Sequence, residues 1–504
     1  MTMKNITTTL FALFICFSTV LAQTVKIGET TYNTIEEAIG AAAEDAVIEI
    51  TGTHTESFTI DKNVTLRGTD PATDIIQAAA DQTSATSRVI YVDGQQGATK
   101  VTLENLTVRN GNADAHGGGI FADKVTDLFT MHNVTLTNNT STKNGGGIST
   151  GGSNVNIEYC SITNNSTTTT GNAGRGGGIF IAPNNGAAID ATVDIKNSLI
   201  ANNESTVNNG GGFYINGNHK YGDQYTLAVN FENVTIVNNY SQVTGGAGFI
   251  LGVDYTGSNG EVTIGETNVT VSMIYCTIAY NTCDDVNKSG VTFGNGLATT
   301  GPHFSLYNSI VVSADDISEK AINFVNCDPI NVANCVIGGV NEAPALLDED
   351  GKNNIYGKTS SFAGIATDLT DEGGMVQVLA LTEDSYSIDY CSAETDITLP
   401  AADARDYARD ETPDAGAFEA NASPLSVRSV VEKEIIIYPN PTSDFIYIQG
   451  ADHIQSIHIY SLVGSLVKEE QNVSQTDISE LNQGIYLVKV KFTEGEVVKK
   501  IVVE

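Results

Sequence analysis

Arg109, Asp284 and Asp285 are the side chains of this chain whose types and neighbours could break bonds in a sugar polymer. Abstraction of a proton α to a carboxyl group needs Asp and Glu residues holding a cation such as Ca²⁺ beside an Arg or Lys base. The arginines of the central region are Arg67, Arg88, Arg109 and Arg175. Arg109 precedes Asn110, in the register of a repeated Asn pair, and Asp114 and His116 follow closely. It is the candidate base, with a solvated corner residue as the plainer reading. Hydrolysis of a glycosidic bond needs paired carboxylates for acid and base work, and Asp284 and Asp285 in YNTCDDVNKSG are the candidates. Neither set is complete, no zinc, haem or nucleotide motif is present, and the catalytic residues stay unknown.

Contact with a sugar is easier to place than chemistry on it. Segments 216–226 and 252–260 are the longest insertions among the regular repeats and carry Tyr221, Tyr225 and Tyr255. Tyr214 and Tyr240 lie in adjoining repeats. Tyrosines stack on sugar faces and hydrogen-bond hydroxyls, and the alternative is that they cover the edge of the fold. A third cluster, Asp403, Asp406, Asp410 and Asp414, is interleaved with Arg405 and Arg409. The expectation is that these acids pair with the arginines and cap backbone amides. The alternative is a Ca²⁺ site, which needs six to eight oxygens, but spacings of 3, 4 and 4 match no calcium loop. No cofactor is expected, and removing Ca²⁺ should leave the fold intact.

What positions these residues is a repeat. Units such as VTLENLTVRNGNADAHGGGIFA (101–122) and VDIKNSLIANNESTVNNGGGFYI (193–215) hold a short alternating strand, an Asn pair, a variable polar loop, a glycine triplet and a second strand. The triplets begin at 117, 145, 176 and 210, with a GGAG variant at 245. Alternation at period two with β-branched residues excludes helical repeats. Such a unit cannot bury its apolar face alone, and stacking units as coils of a parallel solenoid buries all of them. Asn139, Asn165, Asn203 and Asn239 then form a ladder. Cys160, Cys276 and Cys335 occupy the slot that holds Leu106 and Val134 in other units, so they read as core fillers rather than a disulfide framework. Lys+Arg is 25 against Asp+Glu 60, a net charge of −35. That surface repels phosphate backbones, so nucleic acid is not an expected partner.

Residues 1–22 read as an export signal, with Lys4 before the apolar run LFALFICFSTV (10–20), which is too short to span a bilayer. No other run of 18 apolar residues exists, so no transmembrane segment is expected in the mature chain. Thr34 is placed to cap a helix over Ile35–Ala43, with Glu37 at the capping-box position, covering the first coil. This cap and the coils after it resemble the start of pectin methylesterases, pectate-lyase-like proteins and other right-handed parallel β-helix proteins. The GGGI and Asn-pair units resemble the repeats of polymorphic outer-membrane autotransporter proteins. The resemblance covers roughly 31–340 and implies an all-β right-handed parallel β-helix over 23–420. It points weakly to activity, because one scaffold serves lyases, hydrolases and adhesins. Asn281, Asp284 and Asp285 faintly resemble the N-D-D arrangement of the polygalacturonases, whose Gly-His-Gly and Arg-Ile-Lys elements are absent, as is the Asp pair of the pectin methylesterases. The stretch DARDYARDETPDAGAFEA (403–420) resembles the closing segment of secreted β-helix proteins, which implies that it seals the last coil.

After a linker at 421–431 the composition changes, and 432–504 reads as about seven strands of a small β-sandwich. Tyr438-Pro439-Asn440-Pro441-Thr442, Gly484-Ile485-Tyr486 and the terminal Lys499-Lys500-Ile501-Val502-Val503 resemble the type A C-terminal sorting domain of the type IX secretion system of Bacteroidota. The resemblance implies the secretion machinery as a partner, then release or attachment to cell-surface lipopolysaccharide. The expected function is an exported, non-catalytic adhesin or polysaccharide-contacting protein that meets an extracellular glycan or a cell surface. The alternative is a polysaccharide lyase or glycoside hydrolase.

Overall fold

The computed structural model describes residues 23–169, 173–183, 190–217, 226–251, 269–284, 291–294, 303–313, 320–325, 329–340, 351–392, 395–424, 436–449, 454–461, 466–471, 473–492 and 495–503. The expected export signal, most of the 421–431 linker, and Tyr221, Tyr225, Tyr255 and Asp285 lie outside them. Two compact units are present. One takes in the chain to Arg405 with Arg409–Ala420, and the other holds Asp406–Ala408 with Asn421–Glu504.

The first unit is a parallel β-helix. One coil shows the plan: Leu128–Thr137 bends at Asn133, Thr140–Ser141 follows, and Ile148–Gly151 returns. Each segment pairs in parallel with its counterpart in the next coil. Ile148 lies between Ile120 and Ile179, and Phe129 between Val101 and Val155. Inward residues such as Val101, Leu103, Leu106, Val108, Ile120 and Ala122 are fully buried in one continuous core. Cys160, Cys276 and Cys335 sit in that core as free thiols, and burial pushes each up to about 12. In the same slot Ser198 and Ser309 donate their hydroxyls to Lys196 and Tyr307 carbonyls instead.

Two corners are built from residues in the left-handed region. Asn105, Asn133, Asn197 and Asn233 turn the first with φ of 47–55°, and Asn138, Asn164, Asn202 and Asn238 turn the second with φ of 55–56°. Asparagine tolerates this region because its short amide bonds locally. The second member of each pair points inward. Asn139 donates Nδ2 to Asn165 Oδ1 at 3.0 Å, Asn165 to Asn203 at 3.0 Å, Asn203 to Asn239 at 3.0 Å and Asn239 to Asn281 at 2.9 Å. Each Oδ1 also accepts the backbone N–H of the preceding Asn. The glycine triplets pack beside this ladder. Gly117 takes φ of 68°, and a Cβ on Gly118 would run into the Thr140 and Gly146 carbonyls.

The first coil is covered by the helix Ile35–Ala41, which buries Ile35, Ala38 and Ile39. It ends two residues earlier than its sequence predicts. Thr34 Oγ1 accepts Glu37 N–H at 3.0 Å, but Glu37 reaches back to Asn33 rather than to Thr34. Glu56 accepts the Ile35 N–H at 3.0 Å. At the other end the closing segment does not seal the last coil. Residues 353–358 do that, with Ile355 bridging Val336. The stretch 360–417 packs along the flank, where Ala363, Ile365, Val376, Leu379 and Ala415 bury Leu199, Val237, Ala279 and Ile310. The reason lies in the outward positions of one strand column. They are Thr135 and Thr137, then Ser161 and Thr163, in early coils, and Leu199 and Ala201, Thr235 and Val237, Thr277 and Ala279, then Ile310, in later ones.

The second unit pairs a three-stranded antiparallel sheet (Ile436–Tyr438, Phe445–Gln449, Gln475–Asp477) with a four-stranded one (Ile454–Ser461, Leu466–Gln471, Gly484–Phe492, Gly495–Val503). Ile446, Ile457, Ile459, Val488, Val490 and Ile501 form its core.

The ladder should dominate the stability of the β-helix. Asn203→Ala leaves the Asn165 and Ile162 polar groups unpaired in the core. A loss of about 3 kcal/mol or more is expected, because each buried orphan costs about 1–3 kcal/mol. The exposed neighbour Asn202 has φ of 55°, so Asn202→Gly should change stability by under about 1 kcal/mol. Denaturant unfolding of the two variants checks the contrast.

Candidate functional site

The strands that follow the glycine triplets alternate inward and outward. Their outward residues stand in register as Tyr91, Phe121, Ser149, Phe180, Tyr214 and Phe249. Coils rise by about 4.8 Å, which suits stacked rings. Tyr91 lies on Phe121 at 5.6 Å between centroids, Phe180 on Tyr214 at 5.6 Å, and Tyr214 on Phe249 at 5.2 Å. Ser149 breaks the column. The loop before Gly117 sends His116 into the break, with its ring 6.1 Å from Phe121 and 6.1 Å from Phe180. Arg88 lies 5.1 Å from the Phe121 ring and Arg175 lies 5.3 Å from the Tyr214 ring.

A pocket of about 430 Å³ opens at the break, lined by His116, Phe121, Asp123, Lys124, Asn144, Ser149, Gly151, Arg175 and Phe180 among others. Small residues keep its floor low. A Cβ at Gly151 would meet Asp123 Oδ1 at 3.0 Å and the Phe121 ring at 3.3 Å. Asp123 accepts hydrogen bonds from Gln95 Nε2 at 2.9 Å and Tyr91 OH at 3.3 Å. Two buried nitrogens in the lining, His116 Nδ1 and Arg175 Nε, have no hydrogen-bond partner among the described residues. Burial, then the charges of Lys143 and Arg88, hold His116 down to about 4, so its ring is neutral. Burial pushes Tyr214 up to about 12.

The structure distributes the sequence-predicted residues differently. Tyr214 is 1% exposed and lies inside the ring column. Tyr240 donates its hydroxyl to Asp284 Oδ1 at 2.7 Å, a bond that, with burial, pushes the phenol up to about 12. Arg109 stands on a different sheet from the ring column that His116 joins from its loop, and its Nε donates to Gln77 Oε1 at 2.9 Å. Asp114 accepts from Thr142. Of the four arginines, Arg175 lines the pocket, Arg88 lies over the Phe121 ring that walls it, and Arg67 pairs with Glu104. The signal for the column was the aromatic residue two places after each triplet, in GGGIFA, GGGIFI and GGGFYI, with GGGIST as the gap. Among the described residues no group of three His, Cys, Asp or Glu side chains is placed to hold a metal ion.

The acidic closing segment forms a buried ionic network. Arg405 Nη2 lies 2.6 Å from Asp403 Oδ2, and the guanidinium stacks on Phe418 at 3.9 Å. Arg409 pairs at 3.0 Å with Glu419 rather than with an Asp, stacks on Tyr275 at 3.6 Å and donates to Asn233 Oδ1 at 2.9 Å. Asp414 accepts the backbone N–H groups of Asp389 and Ala420. Burial raises Asp414 and Glu419 above the usual carboxylate range.

Among the sorting-signal residues, Asn440 clamps the final strand. Its Nδ2 donates to Lys500 O at 2.9 Å and its Oδ1 accepts Val502 N–H at 2.8 Å. Tyr438 stacks on Tyr447 at 5.7 Å, and Tyr486 OH donates to Asn482 O at 2.9 Å.

The fold of the first unit is that of the parallel β-helix proteins. Residues 436–504 match the family described as the secretion system C-terminal sorting domain. The tail is therefore a sorting domain of the type IX secretion system, and the chain is destined for the cell surface or the extracellular space. Among solved structures, that of pectate lyase Pel9A is similar, 14% identical over 77% of this chain and 91% of that one, with a TM-score of 0.34. No curated protein matches the chain. Among the described residues no helix is long and apolar enough to cross a membrane.

Two outcomes follow. His116 binds a proton less readily when folded than its ordinary 6.5. The unfolded chain then takes up the proton first as pH falls from about 6.5 to about 4. This group's stability is therefore present above that window and lost within it, by about 3 kcal/mol in full. His116→Phe should lose less stability than the parent between pH 7 and pH 4, read by denaturant unfolding at each pH. Deleting 436–504 should leave the protein in the periplasm, read by fractionation; a truncated chain that still reaches the surface contradicts the sorting assignment.

Proposed function

We propose that this is an exported, non-catalytic protein that holds an extracellular polysaccharide along the outward aromatic column of its β-helix. The observation that supports it best is the break at Ser149, where half-buried Phe121 and the Phe180 ring wall a polar-floored pocket. Aromatic faces take the apolar faces of sugars, while amides and charged groups beside them take the hydroxyls. Asn144 and Asn216 supply amides in the same lining. The non-catalytic part of the reading is supported by what the candidate catalytic residues do. Arg109 bonds its register partner Gln77, and Asp284 accepts from Tyr240 of the coil before.

The test is a panel of soluble polysaccharides titrated calorimetrically into the mature chain, with and without Ca²⁺. At least one should bind, and Phe121→Ala should weaken it about tenfold, the loss of about 1.4 kcal/mol of stacking. Neither new reducing ends nor the ultraviolet absorbance of unsaturated uronates should develop. Either product would replace this reading with that of a glycoside hydrolase or a polysaccharide lyase.

A further inference from the structure

The charge balance around the pocket is the reverse of the chain's. Asp+Glu outnumber Lys+Arg by 60 to 25 overall. Yet Lys124 and Arg175 line the pocket, Arg88 lies over its Phe121 wall, and Lys143 is close enough to depress His116. Among the described residues none of these four cations forms a salt bridge within 4.0 Å, although the charge of Asp123 acts on Arg88. The carboxylate in the lining, Asp123, is already accepting from Gln95 and Tyr91. Gathering like charges in a partly desolvated site is unfavourable unless something negative offsets them.

The second observation is directional. An arginine Nε–H is always a donor, and that of Arg175 is buried in the lining without an acceptor. His116 Nδ1 is in the same position, and in its Nδ1–H tautomer the neutral ring is a second donor. A buried donor left unpaired costs about 1–3 kcal/mol. A sugar hydroxyl could satisfy one of them but would leave four cations facing the single carboxylate of Asp123. An oxyanion has the oxygens for both donors and the charge for the cluster.

We propose that the pocket over Ser149 takes an oxyanion substituent of the bound glycan, a carboxylate or a sulfate ester, directly through Arg175 and His116 and without a bridging metal. This rests on the reading of the column as a glycan-contacting surface. A calcium bridge would need six to eight oxygens, and this lining offers one carboxylate among cations.

Three polymers with one backbone test it: dextran, carboxymethyl-dextran and dextran sulfate, titrated into the mature chain in EDTA. At least one charged polymer should bind about tenfold or more tightly than dextran, and which one does so names the anion. Arg175→Gln should remove most of that preference with the melting temperature unchanged. Arg109→Gln, on another sheet, should not. Should Arg175→Gln fold poorly, Lys124→Gln and competition by inorganic sulfate read the same site. Equal affinity for the three polymers, with Phe121→Ala still weakening each, overturns the anion site and leaves the glycan surface standing. Equal losses in Arg175→Gln and Arg109→Gln show diffuse attraction and overturn it also. Binding of none of the three, in this assay and in the wider panel, overturns both readings together.

Discussion

A coil that turns a tight corner strands backbone polar groups inside the core, and the buried asparagine column is what satisfies them here. At such a corner the N–H and C=O groups leave the strand ladder and cannot reach water. The Asn165 amide answers for one coil. It donates to Leu136 O of the coil before and to Asn203 Oδ1 of the coil after, and it accepts both the backbone and side-chain N–H of Asn139. Each asparagine thus needs the next at one height and one azimuth. Slippage by a residue would leave several buried orphans at once, a larger penalty than any single apolar misfit. Loop length between corners is free to vary, as the triplet spacings of 28, 31, 34 and 35 show.

With register held at the corner, the outward residues of each strand fall into columns whose members are about 4.8 Å apart. That separation suits stacked rings, amide-to-amide bonds and alternating charge. All three occur: the ring column, Asn233 bonded to Asn197 at 3.0 Å, and Lys196 beside Glu232 at 3.5 Å. Where a column turns apolar it must be covered. The neighbouring columns Leu199–Thr235–Thr277–Ile310 and Ala201–Val237–Ala279 are covered by the stretch 360–417. The buried Asp403–Arg405 and Arg409–Glu419 pairs tie that cover down. Their worth lies less in net stability than in the cost of breaking one partner.

The buried features of the repeat were the legible ones. Asn139 to Asn239 could be read because a polar residue recurring inside an apolar period has few places to go except a ladder. Cys160 could be read because its slot also takes Leu106 and Val134. The flank cover was written in the sequence but missed. The runs LIA at 199–201 and TIV at 235–237 are buried throughout, and an uninterrupted run marks a strand buried on both faces. The expectation of an end seal followed the segment's resemblance rather than that run. The site was legible only in fragments. The sequence offers Arg175 and His116 only around a catalytic base and Tyr214 as a sugar contact, because proximity along the chain joins Arg109 to His116 whereas the coil separates them. Glu419 was passed over because the aspartates before it were the more regular series.

A repeat of this kind makes a site by omission. Wherever the outward position is aromatic, the next coil's ring closes over it, as Phe249 does over Tyr214 at 5.2 Å. Such a surface is continuous and offers no recess. Removing one ring opens a gap of two coil rises, about 10 Å, between the faces that remain. Serine at 149 and glycine at 151 are the omission, and they leave Phe121 and Phe180 as facing walls. The fold tolerates the loss because the inward residues Ile148 and Thr150 keep the coil in register, so core packing and site chemistry are set by alternate residues of one strand. His116, supplied from a loop rather than from the column, then half fills the gap and brings an unpaired nitrogen to it. The chemistry of the pocket is therefore decided by loop residues such as His116 and Arg175. The coil decides only that there is a pocket, and this division lets a regular scaffold carry an irregular site.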